Sequence, residues 1–489
     1  MANDLDENII YLGFTNSFQY PSINNFYAPD QNYPEYPLES SGLSNQNSVY
    51  ETIRHGFYLL GYDKDNYGKP KWNPLGVFIK QGNTVLLKPN WVMHYNKHKD
   101  YANNLDCLIT HPSIVRVVID YVIIALAGTG RIIIADAPMQ GCDLETLFKK
   151  SSYDRLFDYY RNKKVPIEVY DLRHCRAVAK DGLLIDSEII NPKENEACID
   201  LGKKSLHKKS SNLSYKVSDY STQKTNQYHQ GDKHIYSINK LVLQADCVIN
   251  LPKPKCHRLA GITAAQKNIV GIVYDKSSLP HRIIGPKTKG GDEYQHPSLI
   301  KKTISNLEEL KLRFTDTHKL INASLINFII KFLYGLVIYF FKDKKMIGSW
   351  YGNDTIWRTV ADLNYILRYA NKEGVIKEEE QRKVLNIADM IIAGQGNGPI
   401  GPHPKELGMV IMGEDSSYID ELCVKIMGFN LNNIPGLKKT IMQNNKTKQK
   451  SIINNIDMKK FCFDDLFLKQ EWVFDSHINW KGHIENEIR

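Results

Sequence analysis

Between Asp246 and Gly271 the chain reads DCVINLPKPKCHRLAGITAAQKNIVG, and no other stretch restricts the fold as much. Asp246-Cys-Val-Ile-Asn-Leu251 is a short apolar run with polar borders, the pattern of a strand buried on both faces of a parallel sheet. Pro252 and Pro254 then end the ladder, because neither has a backbone N–H to give. Lys253, Lys255 and His257 leave the strand end, and Thr263, Lys267 and Asn268 follow on a loop and a helix-like run. Ligands of open α/β sheets bind beyond the carboxyl ends of the strands. Three lysines and a histidine at such a place would floor a strongly cationic pocket. A solvated basic loop accounts for the same residues without a ligand.

Similar strands with polar exits recur along the chain. Thr84–Lys88 leads to Asn90, Arg131–Asp136 ends in an acid, and Pro166–Asp171 ends in another. Between the first two, Thr110-His-Pro112 opens a helix, with Thr110 as its expected cap and Pro112 in the first turn. This strand–helix–strand rhythm predicts right-handed crossovers, hence an α/β fold with a mostly parallel sheet flanked by helices. Upstream, Ser48 and Glu51 have capping-box spacing, which predicts a helix to about Leu60 ended by Gly61. Downstream, Met390–Ala393 and Met409–Met412 read as strands, and Gly394–Gly401 as a turn able to approach a ligand closely. A helix from about Tyr418 to Met427 closes the core. The expected organisation is one large interrupted domain: an irregular arm over 1–47, the two parts of the domain over 48–310 and 346–436, an apolar helical insertion over 311–345, and a peripheral segment over 437–489. Residues 203–235 read as an exposed, mobile insertion.

The 489 residues carry a formal charge of +9, yet lysine-rich composition throughout explains much of that excess. No arginine-rich arm or aromatic-basic RNA motif is present, so a small anionic ligand is expected rather than nucleic acid. None of the eight cysteines has C-x-x-C spacing, which leaves a zinc ribbon or an iron–sulfur cluster without a signal. Scattered single cysteines and the lack of an apolar leader near Met1 make a cytoplasmic location the expectation.

Several motifs together resemble the family of the domain of unknown function 362. They are Lys88-Pro-Asn90, Thr110-His-Pro112, the Asp136 exit, Leu251-Pro-Lys-Pro-Lys-Cys-His257, Thr263 with Lys267-Asn268 and Gly271, Gly396-Asn-Gly-Pro399, and Gly413-Glu-Asp415 with Asp420. Trp72-Asn-Pro-Leu75, Leu279-Pro-His281, Gly290-Gly-Asp-Glu293 and Tyr351-Gly-Asn-Asp-Thr355 look like one branch of it. The resemblance runs from about residue 30 to 437. It names no reaction. Many members append a ferredoxin-like cysteine segment that this chain lacks, which argues against electron transfer here. More distantly, the His257…Lys267 stretch is similar to a segment of the nickel-pincer lactate racemases, in which a lysine tethers the cofactor.

The candidate catalytic residues are Lys267, His257 and His111. Histidine titrates near working pH, and Lys267, among Ala264, Ala265, Ile269 and Val270, is the lysine expected to be most desolvated. The alternative is a lysine that only bonds strand-end carbonyls. Lys88, Asn90, Asp136, Lys253, Lys255, Thr263, Asn268, His281 and Asn353 are the expected ligand-binding set. Asp136, Asp389 and Asp415 could hold a divalent cation or orient the lysines, or serve as helix caps; the cofactor is otherwise unspecified. Two functions follow: an enzyme acting on an anionic metabolite, by racemase- or isomerase-like proton transfer or a lysine-held cofactor, or a non-catalytic ligand-binding or accessory protein.

Residues 320–341, LINASLINFIIKFLYGLVIYFF, are long enough to span a bilayer, although Asn322, Asn327 and Lys331 suit its centre poorly. Lysines flank both ends, and Ser324, Asn327 and Lys331 predict a polar stripe on one face. The motifs on either side belong to one domain, which leaves a helix lying on a membrane surface or against a partner, a re-entrant hairpin near Gly335, or an apolar lid buried against the protein itself, instead of a single span. A membrane contact of that kind would be peripheral, on the inner face.

Overall fold

In the computed structural model, Cys247–Asn250 is buried at every residue and has a parallel neighbour on each side. The model describes residues 8–38, 42–44, 47–180, 183–207, 214–444 and 449–486. Numbered along the chain, the central sheet contains β1 (Asn8–Phe14), β2 (Thr84–Lys88), β3 (Arg131–Asp136), β4 (Ile167–Asp171), β5 (Cys247–Asn250), β6 (Lys255–His257), β7 (Gly261–Thr263), β8 (Lys383–Asn397), β9 (Gly401–Gly413), β10 (Lys450–Asn454) and β11 (Lys460–Cys462). Their order is β11-β10-β1-β9-β8-β5-β2-β3-β4, with β6 pairing to β8 and to β7. From β4 to β8 all neighbours are parallel, and β9 returns antiparallel as a long hairpin with β8. The protein is therefore α/β, with a mixed, mostly parallel sheet.

Alternation along the strands explains the layers. Val85, Leu87, Ile132, Ile134, Cys247 and Ile249 face helices α1 (Ser48–Leu59) and α2 (Pro112–Leu126). Their intervening neighbours Leu86, Ile133 and Val248 pack on the opposite face. Two long helices, α3 (Leu299–Asp316) and α4 (Leu320–Phe341), pack on each other in a small core of their own, and α5 (Ile356–Tyr369) follows, whose Leu363, Ile366 and Leu367 join the core on that opposite face. Helix α6 (Ser416–Ile426) covers the part of the sheet nearer β1 and β9. Register puts Lys88, Asn250 and Asn386 side by side at one level of three adjacent strands.

Several expectations shift. The arm contains β1, inserted between β9 and β10, because Ile10, Tyr11 and Leu12 are fully buried by the sheet's helices. Residues 1–7, 39–41 and 45–46 of that arm lie outside the described residues. The segment after 437 supplies β10 and β11 and buries Trp472, Phe474, Trp480 and Ile484 in the core below α6, so it is integral. The insertion boundary at 311 falls inside α3, which pairs with α4 as a helical hairpin. Helix α1 is capped one residue earlier than expected, by Asn47, whose side chain accepts from Tyr50 N. In the 203–235 stretch, where 208–213 lie outside the described residues, His207, Lys216, His229 and His234 are buried. Polar side chains there bury one another, which composition alone cannot signal.

Candidate functional site

The strand exits are tied together by buried polar side chains. Lys88 Nζ sits 2.6 Å from Asp136 Oδ1 and donates to Pro89 O at 2.9 Å. Asp136 Oδ2 in turn accepts from Trp91 N at 2.7 Å. The chain crosses closely above this pair at Gly271, where a Cβ would lie 2.0 Å from Asp136 Oδ1 and 2.6 Å from Lys88 Nζ. Lys253 pairs with Asp389 Oδ2 at 2.7 Å and donates to Tyr20 Oη at 2.5 Å, while Tyr20 donates to Asp389 Oδ1 at 2.6 Å. Pro252 and Pro254 lack donors but keep their carbonyls, which accept from Asp389 N and Gly394 N. That is how the proline-interrupted segment stays attached to β8.

Lys255 anchors a relay of amides. It donates to Leu108 O and, at 2.7 Å, to Asn90 Oδ1. Asn90 Nδ2 donates to Asn268 Oδ1 at 2.8 Å, Asn268 Nδ2 to Asn250 Oδ1 at 2.8 Å, and Asn250 Nδ2 to Asn386 Oδ1 at 2.9 Å. Asn386 Nδ2 ends the relay on Gly413 O at 3.1 Å. Thr263 lies opposite Lys255 in the β6–β7 pair. Burial lowers the pKa of Lys88 and Lys253, with Asp136 and Asp389 opposing. Lys255 has no carboxylate in contact, and burial followed by the charge of Lys253 brings it down to about 7. The network is closed: the three lysines are at most 1% exposed.

Beyond β6 the chemistry changes. Neither Lys267, on the short helix Ala265–Asn268, nor the Arg258 guanidinium makes a hydrogen bond or ion pair with any described residue, and both are partly exposed. Three histidines stand around them. His257 Nδ1 accepts from Leu259 N at 3.0 Å and Ala260 N at 3.2 Å, so its proton is on Nε2. His477 Nδ1 accepts from Asn479 N at 3.1 Å and likewise carries its proton on Nε2. His281 is the reverse: Nδ1 donates to Leu279 O at 2.7 Å, leaving a lone pair on Nε2. Burial, then the charge of Lys267, pulls His281 down to about 3 and His257 well below its ordinary value. Burial and Arg258 bring His477 to about 4, and the same two causes bring Lys267 to about 8. Neutral imidazoles thus surround two cations that have no carboxylate in ion-pair contact among the described residues, although Asp219 and Glu308 act on Arg258 from farther away. Such a place favours an anion.

Arg258 and His477, but not Lys267, His257 or His281, line a cavity of about 450 Å³ whose rim carries Lys97, His98, Lys99 and Asp100. The glycine-rich turn lines it, but its tightest approach is to the protein's own backbone: a Cβ on Gly398 would lie 1.9 Å from Cys256 O. A larger cavity, of about 850 Å³, lies beside Arg368, Glu414 and the start of α6 and touches Asp415 but none of the expected catalytic or ligand-binding residues.

Two predicted residues are committed elsewhere. His111, not Thr110, caps α2 by accepting from Ser113 N, and its ring stacks on Tyr20 at 3.8 Å. Thr110 instead bridges Asn90 N and Leu251 O. Asn353 holds His281 O and Gly348 O with Nδ2 and accepts from Thr355 N and Ile356 N at the head of α5, which leaves no valence for a ligand. Asp415 caps α6. With Asp136 and Asp389 paired to lysines, the three acids do not converge, and among the described residues no group of three or more His, Cys, Asp or Glu is placed to hold a metal ion. Sequence reasoning missed Asn386, Arg258, Tyr20 and His477. Arg258 stood next to His257 in the organising stretch, and Asn386 matches Asn250 in register; for Tyr20 and His477 there was no signal.

No curated protein matches the chain. A structural-genomics crystal structure of a Thermotoga maritima protein aligns with a TM-score of 0.30 and 11% identity over 82% of this chain and 59% of that one. The lactate racemase apoprotein from Thermoanaerobacterium thermosaccharolyticum aligns with a TM-score of 0.27 and 11% identity over 71% of this chain and 50% of that one. The chain thus spans only about half to three-fifths of those proteins' length. The profile described as a domain of unknown function (DUF362) matches residues 85–185 and 172–425, most of the chain, including Lys88, Lys253, Lys255, Arg258 and Lys267, so the protein belongs to the DUF362 family.

Proposed function

We propose that the protein is an enzyme that binds a small anionic metabolite over Arg258 and Lys267 and moves a proton on it. The observation that carries this reading is Lys267, a partly exposed lysine with no hydrogen-bond or ion-pair partner among the described residues, whose pKa is brought down to about 8 by burial and by Arg258. At neutral pH such a lysine is partly unprotonated and can accept a proton from a carbon next to a carboxylate, then return it. Arg258 is the anchor for the carboxylate, since a guanidinium binds it with two parallel donors. The Nε2–H of His257 suits a developing oxyanion, and the Nε2 lone pair of His281 suits a substrate hydroxyl. The same unprotonated Lys267 is also the residue able to tether a carbonyl-bearing cofactor.

Incubation of the purified protein with a panel of small carboxylates in D2O, followed by NMR, tests the reaction. Loss of a C–H signal is expected with wild type and not with Lys267→Met. Intact-mass analysis checks for an adduct on the peptide carrying Lys267. Exchange that persists in Lys267→Met would sink the reading. A non-catalytic binder of the same anion is the second reading, favoured by the closure of Lys88, Lys253 and Lys255 within the network; ligand-induced thermal stabilisation without exchange would support it.

A further inference from the structure

Helix α4 has two unlike faces. Ala323, Ile326, Asn327, Ile330 and Val337 turn inward, against Ile304 of α3 and Met346. Asn327, expected on an outer polar stripe with Ser324 and Lys331, is on this buried side. The outward residues are apolar and large: Ile321 is 86% exposed, Leu325 63%, Phe328 70%, Phe332 61% and Phe340 66%. Their spacings of four, three, four and eight residues place them on one stripe along a helix about 33 Å long. Soluble proteins seldom leave such a surface open to water.

Charge accompanies the stripe. Lys319, Lys331, Lys342 and Lys344 are exposed at its two ends and its middle, and no acid occurs between Thr317 and Lys342. The acids just outside are neutralised, Asp316 by Lys224 and Asp343 by Lys301. A self-associating face would bring Lys331 of two copies together in an apolar seam, which is unfavourable. Topology excludes a single crossing. Gly348 N donates to Glu293 O at 2.9 Å, Trp350 Nε1 to Asp292 O at 2.9 Å, and Thr355 Oγ1 to Asp292 Oδ2 at 2.6 Å. The segments before α3 and after α4 therefore lie on one side of any bilayer. Helix α3 cannot be a return span, because its Glu308 and Glu309 face Arg282 and Lys216 of the body.

We infer that α4 docks the protein on an anionic membrane surface, lying in the interface with Ile321, Leu325, Phe328 and Phe332 among the acyl chains and its lysines at the headgroups. The inference stands apart from the reaction proposed above. Flotation of the full chain with vesicles tests it. Wild type should float with phosphatidylcholine vesicles containing phosphatidylglycerol and much less with phosphatidylcholine alone, by roughly fivefold per engaged lysine. The triple variant Leu325→Ser, Phe328→Ser, Phe332→Ser should stay unbound while melting as wild type does, since these side chains touch solvent. Lys319→Gln with Lys331→Gln should weaken binding to the anionic vesicles only. Alkaline carbonate should strip the bound protein. Wild type that ignores both vesicle types, retention through carbonate, or a dimer in sedimentation that the triple serine variant dissolves would each overturn the inference.

Discussion

The two lysine groups differ in one respect, the presence of partners. Lys88, Lys253 and Lys255 have carboxylates, carbonyls or an amide within hydrogen-bond reach and are shut away from water. Lys267 and Arg258, a few residues along the same stretch, have no such partner among the described residues and reach solvent. Residue type and position at a strand exit are shared, so neither distinguishes a structural lysine from a lysine free to act. The distinction rests on where a partner comes from, and for Lys253 that partner, Asp389, is 136 positions away in sequence.

The sharpest way to break this contrast is to remove one member of a closed pair. Lys88→Met leaves Asp136 buried without its cation, and Asp389→Ala does the same to Lys253; each should cost about 3–5 kcal/mol in chemical denaturation. A cost near zero would place these lysines with the free group. Gly271→Ala should follow, at about 1–3 kcal/mol, because the added Cβ meets the Lys88–Asp136 pair. Asn353→Ala should cost about 1 kcal/mol through the lost α5 cap and leave anion binding intact. At the other extreme, Lys267→Met should not destabilise the apo protein, and should stabilise it at neutral pH where the depressed pKa of Lys267 counts against folding, while abolishing ligand-induced stabilisation.

Acidity separates the groups again. Lys267 falls from an ordinary 10.5 to about 8 in the folded protein, so between those values the unfolded chain holds more protons. Stability contributed by this site should therefore rise with pH from about 8 to about 10.5, and Lys267→Met should flatten that rise. His281 acts in the same sense between about 3 and 6.5: the folded state resists protonation, so stability falls on acidification through that window. Binding of an anion stabilises the protonated lysine, and affinity measured by calorimetry should decline as pH climbs past about 8. An affinity independent of pH would remove Lys267 from the site.

Much of this was legible beforehand. The parallel strands, their polar exits and the placing of Lys253 and Lys255 just beyond them follow from short apolar runs and from prolines that stop them. Other parts depend on distant pairing. Asn386 gains meaning only when β8 aligns with β5, and His477 arrives from a segment whose composition suggests a periphery. Strand β1 hid in a stretch dominated by Asn, Tyr, Pro and Ser. His111 and Asn353 show the opposite case, in which motif residues complete helix starts; Asn353 has no free valence and the Nδ1 of His111 is spent on the cap.

The amide relay has a direction. A lysine, which can only donate, stands at one end, and a backbone carbonyl, which can only accept, stands at the other. All four asparagines between them are consequently forced to point the same way, oxygen toward Lys255 and nitrogen toward Gly413. Reversing one amide would set oxygen against oxygen on one side and nitrogen against nitrogen on the other, and reversing all four would set like against like at Lys255 and at Gly413 O, so none can flip. Strands β2, β5 and β8 are thus joined by a seam of fixed direction, and an aspartate at any one stitch would insert an acceptor where a donor is required.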